Sequence, residues 1–179
     1  EKFPFVFDAA TSIIQRGRIE YYARIGKDCP VGTVVGRDGS ALTNSEEILT
    51  QLNTHEAALA PLGGIGEELG GYKGYDFATA ELLSAALQQG SFLSALSGIG
   101  ENGEKKEYHL GHWFIAIDTE AFLGLQSFKK TAGDILRELR ASQKAPGEKR
   151  IYTAGEKEYD IWKERENEGV PINDAVQKE

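Results

Sequence analysis

The apolar positions of this chain come in short blocks whose spacing alternates between extended and helical. Residues 3–7 are aromatic and β-branched, which favours an extended segment entering a core. Behind it, Thr11 or Ser12 is placed to cap a helix carrying Ile13, Ile14, Ile19, Tyr22 and Ile25, with Gly26 as its stop and Pro30 just beyond. Gly17, inside that pattern, weakens the helix by roughly 1 kcal/mol relative to Ala. Residues 31–43 are turn-rich, and Arg37-Asp38-Gly39-Ser40 reads as a hairpin or loop. Asn44 followed by Glu47 has the form of a helix-start capping arrangement leading into Ile48, Leu49 and Leu52.

A glycine-rich loop is expected over residues 61–74. A helix over 76–89 follows, with Phe77, Ala80, Leu83 and Leu87 on one face and Gly90 as its end. Residues 97–107 form a polar loop, and 112–118 read as a buried strand. Ser127 can begin a helix holding Ile135, Leu136 and Leu139, with Pro146-Gly147 beyond it. Residues 151–153 suit a short strand, and 156–168 an exposed amphipathic helix packed through Tyr159 and Trp162 and ended by Gly169. Strands alternating with helices predict a mixed α and β domain. The expected division is 1–150 as the main domain and 151–179 as a C-terminal helical segment.

A length of 179 residues suits one domain with a real core. Hydrophobic residues at 40% and charged residues at 27% describe an ordinary globular chain, and the apolar runs are too short to span a bilayer. The formal charge of −8 argues against nucleic acid, which rewards clustered Lys and Arg, but leaves room for a local basic site for a small phosphate. Cys29 stands alone, so no internal disulfide forms, and a small buried or partly exposed side chain in a reducing cytoplasm is the expectation. An extended segment at the first residues, with no Met and no signal peptide, reads as a piece of a longer chain.

Candidate chemistry concentrates in three places. Pro61-Leu62-Gly63-Gly64 runs through Gly70-Gly71-Tyr72-Lys73-Gly74 toward a helix start, where amides, a partial positive charge and a lysine suit an anion. A flexible loop with a helix cap fits the same residues equally well. Asp8-Ala9-Ala10-Thr11-Ser12 sits at a strand end: small side chains admit a ligand and Asp8 can accept ribose hydroxyls, although a simple helix cap is the plainer reading. His55, His109 and His112 suit acid–base work but have no nucleophile or metal-type partner in the sequence, so structural roles are favoured. The literal G-x-G-x-x-G at Gly98-Ile99-Gly100-Glu101-Asn102-Gly103 is followed by no helix and reads as a surface loop, not a dinucleotide turn.

Taken in order, these segments resemble the malate/L-lactate dehydrogenase family. Phe5-Val6-Phe7-Asp8-Ala9-Ala10-Thr11-Ser12 with Arg16-Gly17-Arg18-Ile19 is similar to its "F-x-x-D-x-A-T-S … R-G-K-I", and Gly26-Lys27, Pro30, Asp38-Gly39 and Thr43 to its "G-K-x-x-P … D-G … T". Pro61-Leu62-Gly63-Gly64 and Lys73-Gly74-Tyr75 resemble "P-x-G-G … K-G-Y". His112-Trp113-Phe114-Ile115-Ala116-Ile117-Asp118 resembles "H-F-F-x-A-I-D", and Gly155-Glu156 the end of "P-G-E". The resemblance covers nearly the whole chain.

It implies hydride transfer between NAD or NADP and a 2-hydroxy or 2-oxo acid by a homodimer, with this chain as the C-terminal half. It also implies a non-Rossmann NAD(P)-binding domain with a mostly antiparallel sheet flanked by helices. Cofactor contacts carry over to Asp8, Ala9, Ala10, Thr11, Ser12, Pro61, Leu62, Gly63, Gly64, Lys73, Gly155 and Glu156. The family's catalytic His and substrate Arg belong to the other half, so no catalytic residue is expected here, and no metal.

There are departures: Arg18 stands where some reductases carry an acid of a catalytic relay, Asp76 replaces a usual Gly, and Ala154 replaces the Pro of "P-G-E". The insertion at residues 65–69 is most similar to malate-type members. The competing expectation is a non-catalytic ligand-binding or subunit-interaction domain on the same scaffold.

Overall fold

The computed structural model describes residues 2–88, 98–100, 102–112 and 114–178. Gln89 and Gly90, where a helix end is expected, and Ser97, Glu101 and Trp113 lie outside the described residues. The chain divides into two units, Ala10–Phe114 and Glu1–Ala9 with Ile115–Glu179. Sequence had placed a boundary after residue 150, which falls inside the second unit.

The first unit is built on helix α1 (Arg16–Arg24), strands β1 (Val34–Gly36) and β2 (Ala41–Leu42), helix α2 (Ser45–Asn53), strand β3 (Ala57–Leu59) and helix α3 (Gly71–Leu82). The strands form an antiparallel sheet in the order β2-β1-β3, with Val34 opposite both Leu42 and Leu59. The β1–β2 turn is closed by Asp38, whose Oδ1 accepts from the Ser40 amide at 2.9 Å and hydroxyl at 2.7 Å; those bonds hold its carboxyl below the usual range. At α2 the Asn44 side chain accepts from the Glu47 amide at 2.9 Å, as the spacing predicts. Strand β3 was not foreseen, because Ala57, Ala58 and Leu59 carry little β-propensity and pair only because β1 offers an edge.

The core of this unit gathers Ile14, Ile19, Cys29, Val34 and Ile48, with Tyr22, Leu42, Leu52 and Leu59 packed against them. Fully burying one such side chain contributes about 1.5–3 kcal/mol. Cys29 is buried and free, its Sγ 3.5 Å from the Ser45 hydroxyl.

Two expectations change here. Helix α1 begins at Arg16 rather than near Ser12, with Gln15 at its cap and no side-chain cap bond. Thr11 and Ser12 instead lie extended beside the start of the glycine loop, and Ile13 donates to the Ala60 carbonyl at 2.8 Å. Helix α3 begins at Gly71 rather than Asp76, after Gly70 in the left-handed region at φ +82. It packs through Gly71 and Gly74, and the apolar face expected over 76–89 stands outward, with Phe77 66% exposed and Leu83 and Leu87, in the 3-10 turn beyond α3, likewise exposed. Spacing identified an apolar face, but close backbone approach at the two glycines decided which side packs.

The second unit holds α4 (Leu125–Ala141), α5 (Glu156–Glu168) and the short α6 (Asp174–Gln177). Of residues 112–118, expected as a buried strand, those described are not one: Phe114 is 92% exposed and Ile117 is exposed. A strand needs a neighbour for its backbone hydrogen bonds, and among the described residues none pairs with this segment. Residues 151–153 form no strand either; Val6 makes one bond to the Ala154 carbonyl at 3.3 Å. Helix α5 packs through Tyr159, which lies 5.5 Å from the Phe3 ring and 5.8 Å from that of Trp162.

Candidate functional site

The glycine loop is organised by backbone contact. The Leu62 amide donates to the Thr11 carbonyl at 2.9 Å, and Ser12 bridges Pro61 in antiparallel fashion. Thr11 and Ser12 and the start of the glycine loop, singled out separately in the sequence, are therefore one ribbon. The Gly64 amide closes a turn on the Pro61 carbonyl at 2.8 Å, with Gly63 at φ +99 and Gly64 at φ +85. Side chains rarely adopt these angles. A Cβ on Gly71 would strike the Gly64 and Gly66 carbonyl oxygens, and one on Gly74 the backbone of Leu62. The first turn of α3 thus sits directly on the loop at residues 61–66.

Lys73 belongs to that first turn. Its aliphatic stem passes over Gly70, with Cδ 3.6 Å from where a Cβ would sit there, and its ammonium lies 5.7 Å from the Tyr72 ring centroid. Among the described residues, no carboxylate lies within salt-bridge distance of it. Glu67 and Glu68 are both exposed. On α3, Glu81 accepts from the Thr11 hydroxyl at 3.1 Å, fixing Thr11 from a helix that sequence reasoning had not connected to it.

The other candidates fall in the second unit. A groove of about 370 Å³ is lined by residues 6–8, 152–155, Lys157 and Glu158. Asp8 is exposed in it, and no hydrogen bond or ion pair engages its carboxylate among the described residues. Gly155 turns at φ +88 against residues 4–6: a Cβ would lie 3.1 Å from both the Pro4 carbonyl and the Val6 amide.

Glu156, which the resemblance offers as a cofactor contact, points inward. It is 2% exposed; Oε2 accepts from the Thr153 amide at 3.0 Å and hydroxyl at 3.3 Å, while Oε1 pairs with Arg150. Burial pushes its carboxyl up, but the Thr153 and Arg150 hydrogen bonds and the Arg150 charge outweigh this and hold it below the usual range. Sequence reasoning missed Arg150 and Thr153, since no periodicity marks them. Ala9 and Ala10 are exposed, one in each unit. His55, His109 and His112 are all exposed, and the His55 carbonyl accepts from Arg37 at 3.2 Å. The G-x-G-x-x-G segment is a reverse turn: Gly100 donates to the Glu104 carbonyl at 2.8 Å and Lys106 to that of Gly98 at 2.7 Å. No group of His, Cys, Asp and Glu among the described residues could hold a metal ion, and no described helix is long and apolar enough to cross a membrane.

Each unit by itself offers one unsatisfied group among the described residues: in the first, Lys73 has no carboxylate partner over its glycine turn, which suits an anion; in the second, Asp8 has no partner in its groove, which suits hydroxyl donors. Comparison with known proteins gives the family. A malate dehydrogenase of Pyrococcus horikoshii is 36% identical over 177 residues, covering 98% of this chain and 47% of that protein. An L-sulfolactate dehydrogenase of Methanocaldococcus jannaschii is 32% identical over 149 residues, covering 82% of this chain and 38% of that protein. The crystal structure of malate dehydrogenase from Entamoeba histolytica superposes with a TM-score of 0.87 at 40% identity, covering 99% of this chain and 49% of that one. The chain spans about half the length of the curated relatives it matches. The family model described as malate/L-lactate dehydrogenase matches residues 1–179, and the chain belongs to that family.

Proposed function

We propose that this chain is the nucleotide-binding part of an NAD(P)-dependent 2-hydroxyacid dehydrogenase with a non-Rossmann sheet. The observation that carries the reading is Lys73: a cation in the first turn of a helix seated on a glycine turn, with no carboxylate among the described residues to neutralise it. Such a cation, with the helix N-terminus, favours an anionic diphosphate. Asp8 can accept from ribose hydroxyls. The nicotinamide, when bound, supplies or takes up the hydride. The small antiparallel sheet, and a G-x-G-x-x-G segment spent on a reverse turn, support a nucleotide site built without the Rossmann strand–turn–helix.

Malate and oxaloacetate are the proposed substrate pair. The support is the malate dehydrogenases among the relatives and the exposed Glu67 and Glu68, which leave the inserted loop free of an inward-facing acid that would repel a dicarboxylate. Homodimerisation rests on the family resemblance, and a cytoplasmic location on the lone Cys29.

The deciding experiment compares kcat/KM of the full-length protein for oxaloacetate, pyruvate and sulfopyruvate with NADH and NADPH. Oxaloacetate is expected to lead. A preference for pyruvate or sulfopyruvate moves the substrate and keeps the reaction class. No oxidation of either nucleotide with any 2-oxo acid rejects the class, in favour of a non-catalytic domain on this scaffold.

A further inference from the structure

A carboxylate that is 2% exposed is uncommon unless something holds it, and Glu156 is held from three directions. Oε2 takes the Thr153 amide and hydroxyl, and Oε1 takes Arg150. Both partners are themselves tethered. Arg140 of α4 donates to the Thr153 hydroxyl oxygen at 3.0 Å, and Arg150 also reaches Asp160 of α5 at 3.0 Å. Glu156 therefore joins α4, α5 and the turn between them. The outer side of that same turn is Tyr152, Thr153, Ala154 and Gly155, the wall of the groove in which Asp8 stands. The segment carrying Asp8 docks on this wall by one backbone bond, from Val6 to the Ala154 carbonyl, and by close approach at Gly155.

We propose that Glu156 is a positioning residue: its buried carboxylate fixes the turn at residues 152–155, and through Ala154 and Gly155 it sets where Asp8 is presented to a bound nucleotide. This rests on the nucleotide-binding reading above. Glu156 touches no ligand itself, so its contribution passes through the backbone. Gln at this position keeps the size but places an amide against the Thr153 N–H or against Arg150, opposing donor to donor. Asp keeps the charge on a shorter stem and should recover part of the effect.

The test uses the full-length protein and two readouts. In Glu156→Gln, hydrogen exchange at the Val6 amide is expected to quicken. The KM for the nicotinamide nucleotide should rise roughly fivefold or more, the scale of one lost hydrogen bond, with kcat within about twofold. Glu156→Asp should lie between. A fall in kcat at unchanged nucleotide KM, or unchanged Val6 exchange, overturns the proposal. If Glu156→Gln does not fold, Arg150→Met, which strips the half-exposed partner, must show the same two changes in smaller measure; their absence overturns it equally. If the wild-type protein binds no nicotinamide nucleotide, the functional reading fails on its own, and Val6 exchange in the variant alone decides the positioning role.

Discussion

The Leu62 amide donates to the Thr11 carbonyl at 2.9 Å. With the bond from Ile13 to the Ala60 carbonyl it joins two motifs about fifty residues apart, and the loop at residues 61–66 in turn meets the first turn of α3 through Gly71 and Gly74. The carbonyl and amide atoms involved belong to the backbone, so side-chain identity at either position matters less than the glycines that allow the approach.

Replacing Gly74 by Ala forces a Cβ into the Leu62 backbone. Backbone cannot swing aside as a flexible side chain can, so a loss of about 1–3 kcal/mol is expected, in the range of overpacked sites. Gly17→Ala runs the other way. Gly17 lies inside α1 with nothing within 4 Å of an added Cβ and no positive φ, and should stabilise by about 0.5–1 kcal/mol. Chemical denaturation of the two variants beside wild type reads both signs; a stabilised Gly74→Ala would refute the packing described for α3.

Lys73→Ala should weaken binding of the nicotinamide nucleotide by the worth of one charge-assisted bond, about 1.5–3 kcal/mol. Lys73→Arg should retain most of the affinity. Calorimetric titration of the full-length variants checks this, and an unchanged dissociation constant for Lys73→Ala removes the anchor from the proposed function.

The acid limb of the stability curve should carry the Glu156 signature. Its carboxyl titrates below the usual glutamate range in the folded protein, so it stabilises fully above the unfolded value and that contribution disappears as pH falls through the folded one. Asp38, Glu104 and Asp134 are also held low and add to the same limb. Urea midpoints should therefore fall as pH drops below about 4, the ordinary carboxylate range. Glu156→Gln should start lower at neutral pH, by about 1–3 kcal/mol for hydrogen bonds lost in a buried site, and decline less steeply. Parallel curves for variant and wild type would remove the buried carboxylate from this account.

Ile48→Ala truncates a fully buried side chain between α2 and the sheet and should cost about 2–5 kcal/mol. Phe114→Ala, at a position 92% exposed, should change the stability of this chain by less than about 0.5 kcal/mol. Similar losses for the two would mean that residues 112–118 are covered in solution.

Much of this protein is written in local chemistry. The Asn44 cap, the turn at residues 37–40, the left-handed stop at Gly26 and helix α5 with its Gly169 end follow from neighbours a few residues apart, and the sequence determined them alone. The order of motifs likewise determined the family.

What tertiary structure decided is every matter of partnership. Periodicity marked Phe77, Leu83, Leu87 and residues 112–118 as apolar, but an apolar face is buried only if another surface meets it. A strand forms only beside another strand. Thr11 and Ser12 carry good capping side chains, yet they lie extended because the edge at Ala60, Pro61 and Leu62 offers backbone bonds a helix start would not. Glu156 fits a ligand contact by motif and faces inward because Arg150 and Thr153, invisible to any spacing rule, converge on it. Local sequence sets what each residue can do, and distant neighbours settle which of those things it does.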